Sequence, residues 1–112
     1  MADPAVAADL RQALDRLRPL AQYLQANPNV QVRIDGHTDA QGGDDYNQHL
    51  SEARAGSVRA ALASMGVDQG RIQAIGHGKA DPVADNKTEA GRQQNRRVEV
   101  TLVGQQASAF GA

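Results

Sequence analysis

Two kinds of hydrophobic spacing alternate along the chain, and this alternation restricts the fold more than any other feature. Apolar residues recur every three or four positions across residues 6–24, which predicts an amphipathic helix. Asp3-Pro4 supplies an N-cap and a first helical position, and we expect the helix to end near Ala26. Because Pro19 lacks a backbone donor, we expect a kink or a break at residues 15–18.

A second amphipathic helix is predicted from Ser51 to Met65. Ser51 is a good N-cap, and Gly66 suits the left-handed position that often ends a helix. Leu50, immediately before this cap, can pack against the first turn as a hydrophobic staple. Residues 36–45, which precede it, are rich in Gly and Asp and predict a loop.

Three further segments predict strands. Residues 30–35 and 95–103 alternate apolar and polar side chains, and residues 71–76 form a shorter segment. Thr88 can cap one or two helical turns at residues 88–94. The order is therefore helix, strand, helix, strand, short helix, strand. It implies an α+β or α/β domain in which helices cover one face of a sheet.

The composition fits one globular domain without a nucleic-acid surface. The chain has 112 residues, 40% of them hydrophobic, so we expect a single domain with a core over about residues 9–103 and a tail at 104–112. The net charge is −1, and no aromatic residues are interleaved with basic ones, which argues against binding to nucleic acid. The absence of cysteine excludes disulfides, thiolate metal sites and a cysteine nucleophile from this chain.

The amino-terminal residues do not have the pattern of an export signal. Residues 1–10 lack an apolar segment, and no apolar run approaches the roughly 20 residues needed to cross a bilayer. If the protein acts outside the cytoplasm, we therefore expect this chain to be a soluble piece of a longer precursor.

A series of short motifs occurs in a fixed order along most of the chain. They are Asn27-Pro28-Asn29-Val30, Ile34-Asp35-Gly36-His37-Thr38-Asp39, Tyr46-Asn47, Leu50-Ser51-Glu52-Ala53-Arg54-Ala55, Gly76-His77-Gly78, Ala84-Asp85-Asn86, Gly91-Arg92 and Asn95-Arg96-Arg97-Val98-Glu99. Each motif alone is weak, but their joint order and spacing resemble the OmpA-like C-terminal domain family over about residues 10–103. The resemblance implies an α+β fold, with a mixed sheet and helices on one face, and a non-catalytic module that binds peptidoglycan.

The ligand that this resemblance implies is the meso-diaminopimelate residue of the peptidoglycan stem peptide, which presents an ammonium next to a carboxylate. Such a zwitterion needs a fixed anion and a planar guanidinium. The resemblance assigns these roles to Asp39, after the first strand, and to Arg54, in the first turn of the second helix, where free N–H groups can also take a carboxylate. The ligand-contacting residues implied in this way are Asp39, Arg54, Asn47, Thr38, Arg96 and Leu50.

Several of these residues also have simpler interpretations. Asp39 and Arg54 could form a plain surface salt bridge, and Asn47 could cap the loop. At the start of the last strand, we favour Arg96 for the site and expect Arg97 to pair with a neighbouring acid.

Metal, cofactor and catalytic interpretations are weaker. His37, His49 and His77 lack a metal-ligand spacing, so we expect no metal and no cofactor, and we interpret His37 as a residue that orients its loop. The sequence also lacks a nucleophile elbow, a metal triad and a well-placed acidic pair. We therefore do not expect an enzyme, such as a hydrolase of the same glycopeptide.

The chain departs from the family pattern because it begins at the first helix, whereas such domains usually open with a strand. The missing strand would leave an open sheet edge, which residues 105–110 or a second copy of the chain, in a homodimer, could cover. This edge gives an alternative function, a protein-interaction or oligomerisation module of the envelope. In either case the resemblance implies a membrane-associated parent protein and a location in the periplasm, next to the outer membrane or the cell wall.

Overall fold

The computed structural model describes residues 4–103, with side chains from residue 14 onward. The elements, in chain order, are helix α1 (Pro4–Ala26), strand β1 (Gln31–Gly36), helix α2 (Asp44–Ser64), strand β2 (Ile72–Gly76), helix α3 (Glu89–Asn95) and strand β3 (Val98–Val103). A short 3-10 turn, Gln69–Arg71, leads into β2. The predicted order of helices and strands is confirmed.

The three strands form one mixed sheet in the order β2-β1-β3. Strand β1 is parallel to β2, with Val32 opposite Ile72, and antiparallel to β3, with Ile34 opposite Val100. A parallel pair needs a crossover connection, and α2 supplies it. The predicted α+β class with a mixed sheet is confirmed.

The core lies between the helices and one face of this sheet. Val32 and Ile34 alternate along β1 with polar residues and are fully buried, together with Leu24 of α1 and Leu62 of α2. Arg33 and Asp35 belong to the other face, where they line a polar cavity. The helices therefore pack on one face of the sheet, as the sequence predicted.

Helix α1 is continuous through Pro19. Of the kink or break predicted at residues 15–18, the break is therefore wrong, and the kink stays a prediction. Proline removes one backbone hydrogen bond, but Ala21 and Leu24 in the next turn are buried in the core and hold the helix in register. The proposed cap at Asp3 lies outside the described residues. None of the described helices combines the length and the apolar character that crossing a membrane requires.

Helix α2 begins at Asp44 and not at Ser51, which corrects the predicted start and the predicted staple by Leu50. Gly43 is the N-cap without a side-chain bond, and acidic residues in the first turn suit the positive end of the helix. The buried hydroxyl of Ser51 instead donates to the Gln48 carbonyl at 2.8 Å and accepts from the Gly78 amide at 2.8 Å. Serine is common at helix caps, which is why the sequence predicts one here, but the Ser51 hydroxyl makes a tertiary contact instead.

The other predicted caps agree with the structure. Helix α2 ends at Ser64 with Met65 as its C-cap, and Gly66 has a φ of +94°. Thr88 caps α3 by accepting a hydrogen bond from the Gly91 amide at 3.0 Å.

Helix α2 approaches the ends of β1 and β2 closely because both strands end in glycine. A Cβ at Gly36 would overlap the backbone carbonyl of Ser51, and a Cβ at Gly76 would overlap the backbone of Glu52. These contacts fix the height of the helix above the sheet at the point where the loop after β1 begins.

Strand β3 forms one edge of the sheet and pairs only with β1 among the described residues. Three of its aliphatic side chains are exposed, namely Val100, Leu102 and Val103. The tail at residues 104–112, one of the two segments expected to cover this edge, lies outside the described residues.

The close approach at Gly36 can be tested by alanine substitution. Gly36→Ala forces a methyl group against the Ser51 carbonyl, and we expect it to lower the free energy of unfolding by about 1–3 kcal/mol. Gly56→Ala is the matched control: Gly56 lies inside α2 with no atom within 4 Å of its missing Cβ, so alanine should stabilise by about 0.5–1 kcal/mol. Urea denaturation of both variants measures these changes. Equal effects of the two substitutions would contradict the close approach.

Candidate functional site

A cavity of about 210 Å³ lies beside the carboxyl end of β1. Its lining residues come from the loop after β1, from α2 and from the segment before β3, and they are Thr38, Asp39, Gln41, Tyr46, Asn47, Leu50, Arg54 and Arg96. All six residues proposed from the sequence as ligand contacts therefore line one cavity. Sequence reasoning missed Gln41 and Tyr46.

The early start of α2 explains how one helix provides half of this lining. Asn47, Leu50 and Arg54 are separated by three and four positions (50 − 47 and 54 − 50), so they lie on one helical face. Arg54 is ten residues after Asp44 (54 − 44), deep inside the helix and not in its first turn as predicted. Free N–H groups were expected beside Arg54, but N–H groups at that depth are bonded within the helix. A helix predicted to begin at Asp44 would have placed Tyr46 next to Asn47 in its first turn, and so near the site.

The loop after β1 is held by hydrogen bonds to three other segments. The Thr38 amide donates to the Gly78 carbonyl at 2.9 Å, and the side-chain amide of Asn47 donates to the Gln41 carbonyl at 2.8 Å. The Ala40 amide donates to the Asn86 side chain at 3.2 Å. Asn47 thus braces the loop, which was the simpler of its two interpretations.

Asp39 is buried and engaged on both carboxylate oxygens. One oxygen accepts from the Gln41 amide at 2.9 Å, and the other accepts from Arg96 Nη1 at 2.6 Å. Burial by itself raises the pKa of this carboxyl, but the bonds from Gln41 and Arg96 outweigh burial and hold the pKa below its ordinary value. Asp39 is therefore a carboxylate at neutral pH. Its ion-pair partner is Arg96, so the expected alternative of an Asp39–Arg54 salt bridge is wrong.

The Arg54 guanidinium is not neutralised by any described side chain. It makes one hydrogen bond, from Nη1 to the backbone carbonyl of His37 at 3.3 Å, and no described carboxylate forms an ion pair with it. A half-buried guanidinium on a cavity wall, with most of its donors free, is suited to a planar anion such as a carboxylate.

Arg96 belongs to a chain of alternating charges that leads away from the cavity. Its Nη1 contacts Asp39 at 2.6 Å and its Nη2 contacts Glu89 at 2.6 Å. Glu89 also pairs with Arg92 at 3.0 Å. The hydrogen bonds from Arg96 and Arg92 lower the pKa of Glu89, and the bonds to Glu89 and Asp39 raise the pKa of Arg96. Asp39, Glu89 and Arg96 are therefore charged at neutral pH.

Arg97 belongs to the opposite face of the sheet, where it pairs with Glu99 at 2.7 Å. It lines a second cavity of about 330 Å³ there, whereas Arg96 lines the first. The preference for Arg96 as a ligand contact stays a prediction. His37 also lines the second cavity, stacked on His77 with ring centroids 4.9 Å apart.

The His37 ring is buried, and neither of its nitrogens has a hydrogen-bond partner. Nε2 lies 3.5 Å from Glu99 Oε1 without the alignment of a hydrogen bond. Burial, and then the charge of Arg97, lower the pKa of His37 below its ordinary value. Among residues whose side chains are described, no group of three or more His, Asp or Glu could hold a metal ion.

Comparison with known proteins assigns the chain to a family. Residues 7–96 match the model of the OmpA family. The chain belongs to the OmpA family. The match covers β1, α2, β2 and α3, so it includes every residue that lines the first cavity.

Curated relatives of this OmpA-family chain include proteins named for the outer membrane. It is 47% identical over 89 residues to outer membrane porin F of Pseudomonas fluorescens, covering 80% of the chain and 27% of the porin. It is 48% identical over 86 residues to the probable lipoprotein YiaD of Escherichia coli K12, covering 77% of the chain and 39% of the lipoprotein. The chain thus spans about a quarter to two fifths of the length of these relatives.

Solved structures of the OmpA-like type share the fold. The peptidoglycan-associated lipoprotein of Burkholderia pseudomallei superposes with a TM-score of 0.79 at 38% identity, covering 82% of this chain and 78% of that one. The C-terminal domain of Helicobacter pylori MotB superposes with a TM-score of 0.75 at 23% identity, covering 88% and 78%, and this likeness concerns the fold alone.

The environment of His37 predicts a loss of stability in mild acid. The pKa of a histidine in the unfolded chain is about 6.5, and the folded value is lower, so below pH 6.5 the unfolded state takes up the proton first. Stability should therefore be full above pH 6.5 and fall as the pH drops towards the folded pKa, by at most about 1.4 kcal/mol per pH unit. His37→Phe, which cannot be protonated, should remove this part of the slope.

The measurement is urea denaturation between pH 7.5 and 5. His49→Phe, on the exposed side of α2, is the control and should keep the slope of the unmodified protein. Identical slopes for the unmodified protein and His37→Phe would show that His37 does not titrate in this way.

Proposed function

We propose that this OmpA-family domain binds peptidoglycan non-covalently, through the meso-diaminopimelate residue of the stem peptide, and anchors an envelope protein to the cell wall. One observation carries the proposal: the same cavity contains the ionised carboxylate of Asp39 and the guanidinium of Arg54, which no described side chain neutralises. The peptidoglycan-associated lipoprotein of Burkholderia pseudomallei, at 38% identity, supports the ligand class through its name.

The chemistry of the free end of diaminopimelate fits these two groups. Its ammonium is attracted by Asp39, and its adjacent carboxylate can form two parallel hydrogen bonds with Arg54. A neutral peptide would leave Arg54 unsatisfied, and a simple anion would leave Asp39 without a new partner. The cavity is thus complementary to a zwitterion and not to a single charge.

The remaining lining residues give the peptide backbone its partners. Asn47 uses its amide nitrogen to brace the loop, so its carbonyl oxygen is left to accept from the ligand. Thr38 lies beside Asp39 on the same wall, and Leu50 and Tyr46 supply apolar surface for the aliphatic stem of diaminopimelate.

The domain holds its ligand and does not cleave it. The described cavity combines two guanidinium groups, one carboxylate, amides and a hydroxyl, and the carboxylate has a lowered pKa and not the raised value that a general acid needs. The domain acts in the periplasm as part of a membrane-associated protein. Incubation with isolated peptidoglycan should release no soluble fragments, and release of such fragments would identify an enzyme.

The zwitterion proposal predicts a specific pattern in calorimetric titration with a diaminopimelate-containing muropeptide. Asp39→Ala and Arg54→Ala should each weaken binding by about 2–5 kcal/mol, because each leaves a ligand charge unsatisfied. The double variant should lose clearly less than the sum, because both residues contact one ligand group. Arg97→Ala removes the same charge on the opposite face of the sheet and should bind like the unmodified protein.

A second ligand makes this test sharper. In a lysine-containing muropeptide the ammonium remains and its neighbouring carboxylate is missing. The unmodified protein should bind the lysine ligand about as weakly as Arg54→Ala binds the diaminopimelate ligand. Arg54→Ala should lower the affinity for the lysine ligand little further. If both single variants fold and bind the diaminopimelate ligand normally, the site is elsewhere.

The edge of β3 has no second strand partner among residues 4–103, and this favours a second function, self-association of the domain in the envelope. Val100, Leu102 and Val103 are exposed along this edge, and its backbone groups can pair with another strand. Antiparallel pairing with a second copy centred on Val100 would bring Val98 opposite Leu102 of the partner and extend the sheet.

Light scattering at increasing protein concentration tests this second function. The mass should rise towards that of a dimer, and Leu102→Lys should return it to that of a monomer. A monomer at every concentration would rule out pairing of the β3 edges.

A further inference from the structure

Glu89 lies outside the ligand cavity, yet it shares an arginine partner with the cavity carboxylate. Arg96 divides its guanidinium between two carboxylates, with Nη1 on Asp39 and Nη2 on Glu89, both at 2.6 Å. A guanidinium shared in this way neutralises each carboxylate incompletely. Asp39 therefore keeps some of its charge for a further cation, although it is already engaged in an ion pair.

The ion-pair chain has its negative end at the cavity and its positive end away from it. Its members are Asp39, Arg96, Glu89 and Arg92, with formal charges of −1, +1, −1 and +1, so the sum is zero. Of the two end members, Asp39 lines the cavity and Arg92 does not. Removing the charge of Glu89 leaves a sum of +1, and removing the charge of Arg92 leaves −1. The two changes should thus act on a bound cation in opposite directions.

We infer that Glu89 is a positioning residue that sets the preference of the site for a ligand with a free ammonium group. It does so by holding one edge of the Arg96 guanidinium away from Asp39. Without Glu89, Arg96 turns both of its donors to Asp39 and closes the pair against the ligand. Arg54 is not part of the ion-pair chain, so removing Glu89 leaves recognition of the ligand carboxylate unaffected.

This inference rests on the proposed function, and its test compares two muropeptides that differ only by one acetyl group. One carries diaminopimelate with its free amine, and the other carries the same residue with that amine acetylated. The dissociation constant of the acetylated muropeptide, divided by that of the muropeptide with the free amine, measures the preference for the ammonium. Because Glu89 is largely exposed, Glu89→Gln should reduce this ratio by about twofold to fivefold. Arg92→Gln should increase it.

Glu99→Gln is the matched control. It removes a similar exposed carboxylate from an arginine pair of 2.7 Å, but on the opposite face of the sheet, and it should leave the ratio unchanged. A ligand-free readout accompanies the titrations: the pKa of the Asp39 carboxyl, followed by NMR, should fall in Glu89→Gln and rise in Arg92→Gln. If the role of Glu89 is merely structural, Glu89→Gln should weaken the binding of both muropeptides equally and leave the ratio unchanged.

The possible outcomes separate this inference from the proposed function. If the unmodified protein binds neither muropeptide, the proposed function fails, and an unchanged Asp39 pKa in both variants overturns the charge chain as well. If the unmodified protein prefers the free amine and Glu89→Gln has the same preference, only the role of Glu89 is overturned.

Discussion

Helix α2 crosses the carboxyl ends of β1 and β2 at a distance that glycine permits and alanine does not. Gly36 lies against the backbone of Ser51, and Gly76 against the backbone of Glu52. The Ser51 hydroxyl also accepts a hydrogen bond from the Gly78 amide at 2.8 Å. This contact sets the height of the helix over the sheet. Arg54, one turn further along, therefore reaches the His37 carbonyl at the start of the next loop.

The site depends on this packing because Asp39 and Arg54, the two groups proposed to bind the ligand charges, come from different elements. Asp39 follows β1 and Arg54 lies within α2, so their separation is determined by how closely the helix approaches the strand. The protein satisfies Asp39 with Arg96 from a third segment and leaves Arg54 without a carboxylate. An arrangement that neutralised both groups internally would be less able to bind a zwitterion.

Much of the fold follows from the sequence because its signals are local. Alternating apolar residues identified β1 and β3, and Thr88 and Gly66 identified helix ends, since these depend only on neighbouring residues. The start of α2 did not follow, because Ser51 has the chemistry of a cap and Gly43 has no side chain with which to cap. Only the tertiary contact with Gly78 shows why a buried serine belongs at that position.

The site was partly predictable from the sequence, but through the family resemblance and not through local signals. The family resemblance named six residues, and all six line one cavity. The resemblance could not give the pairing of their charges. Asp39 and Arg96 are 57 positions apart in the chain. Glu89, which binds the other edge of the Arg96 guanidinium, belongs to a helix that contributes nothing to the cavity wall. Ion-pair partners at such separations are decided by packing and not by local pattern.

The most direct test of this account is a crystal structure of the domain with a diaminopimelate-containing muropeptide. We predict that the free ammonium of the ligand lies within hydrogen-bond distance of the Asp39 carboxylate, and that its adjacent carboxylate is paired with the Arg54 guanidinium. A muropeptide bound in the cavity on the opposite face of the sheet, or at the β3 edge, with Arg54 still free, would contradict it.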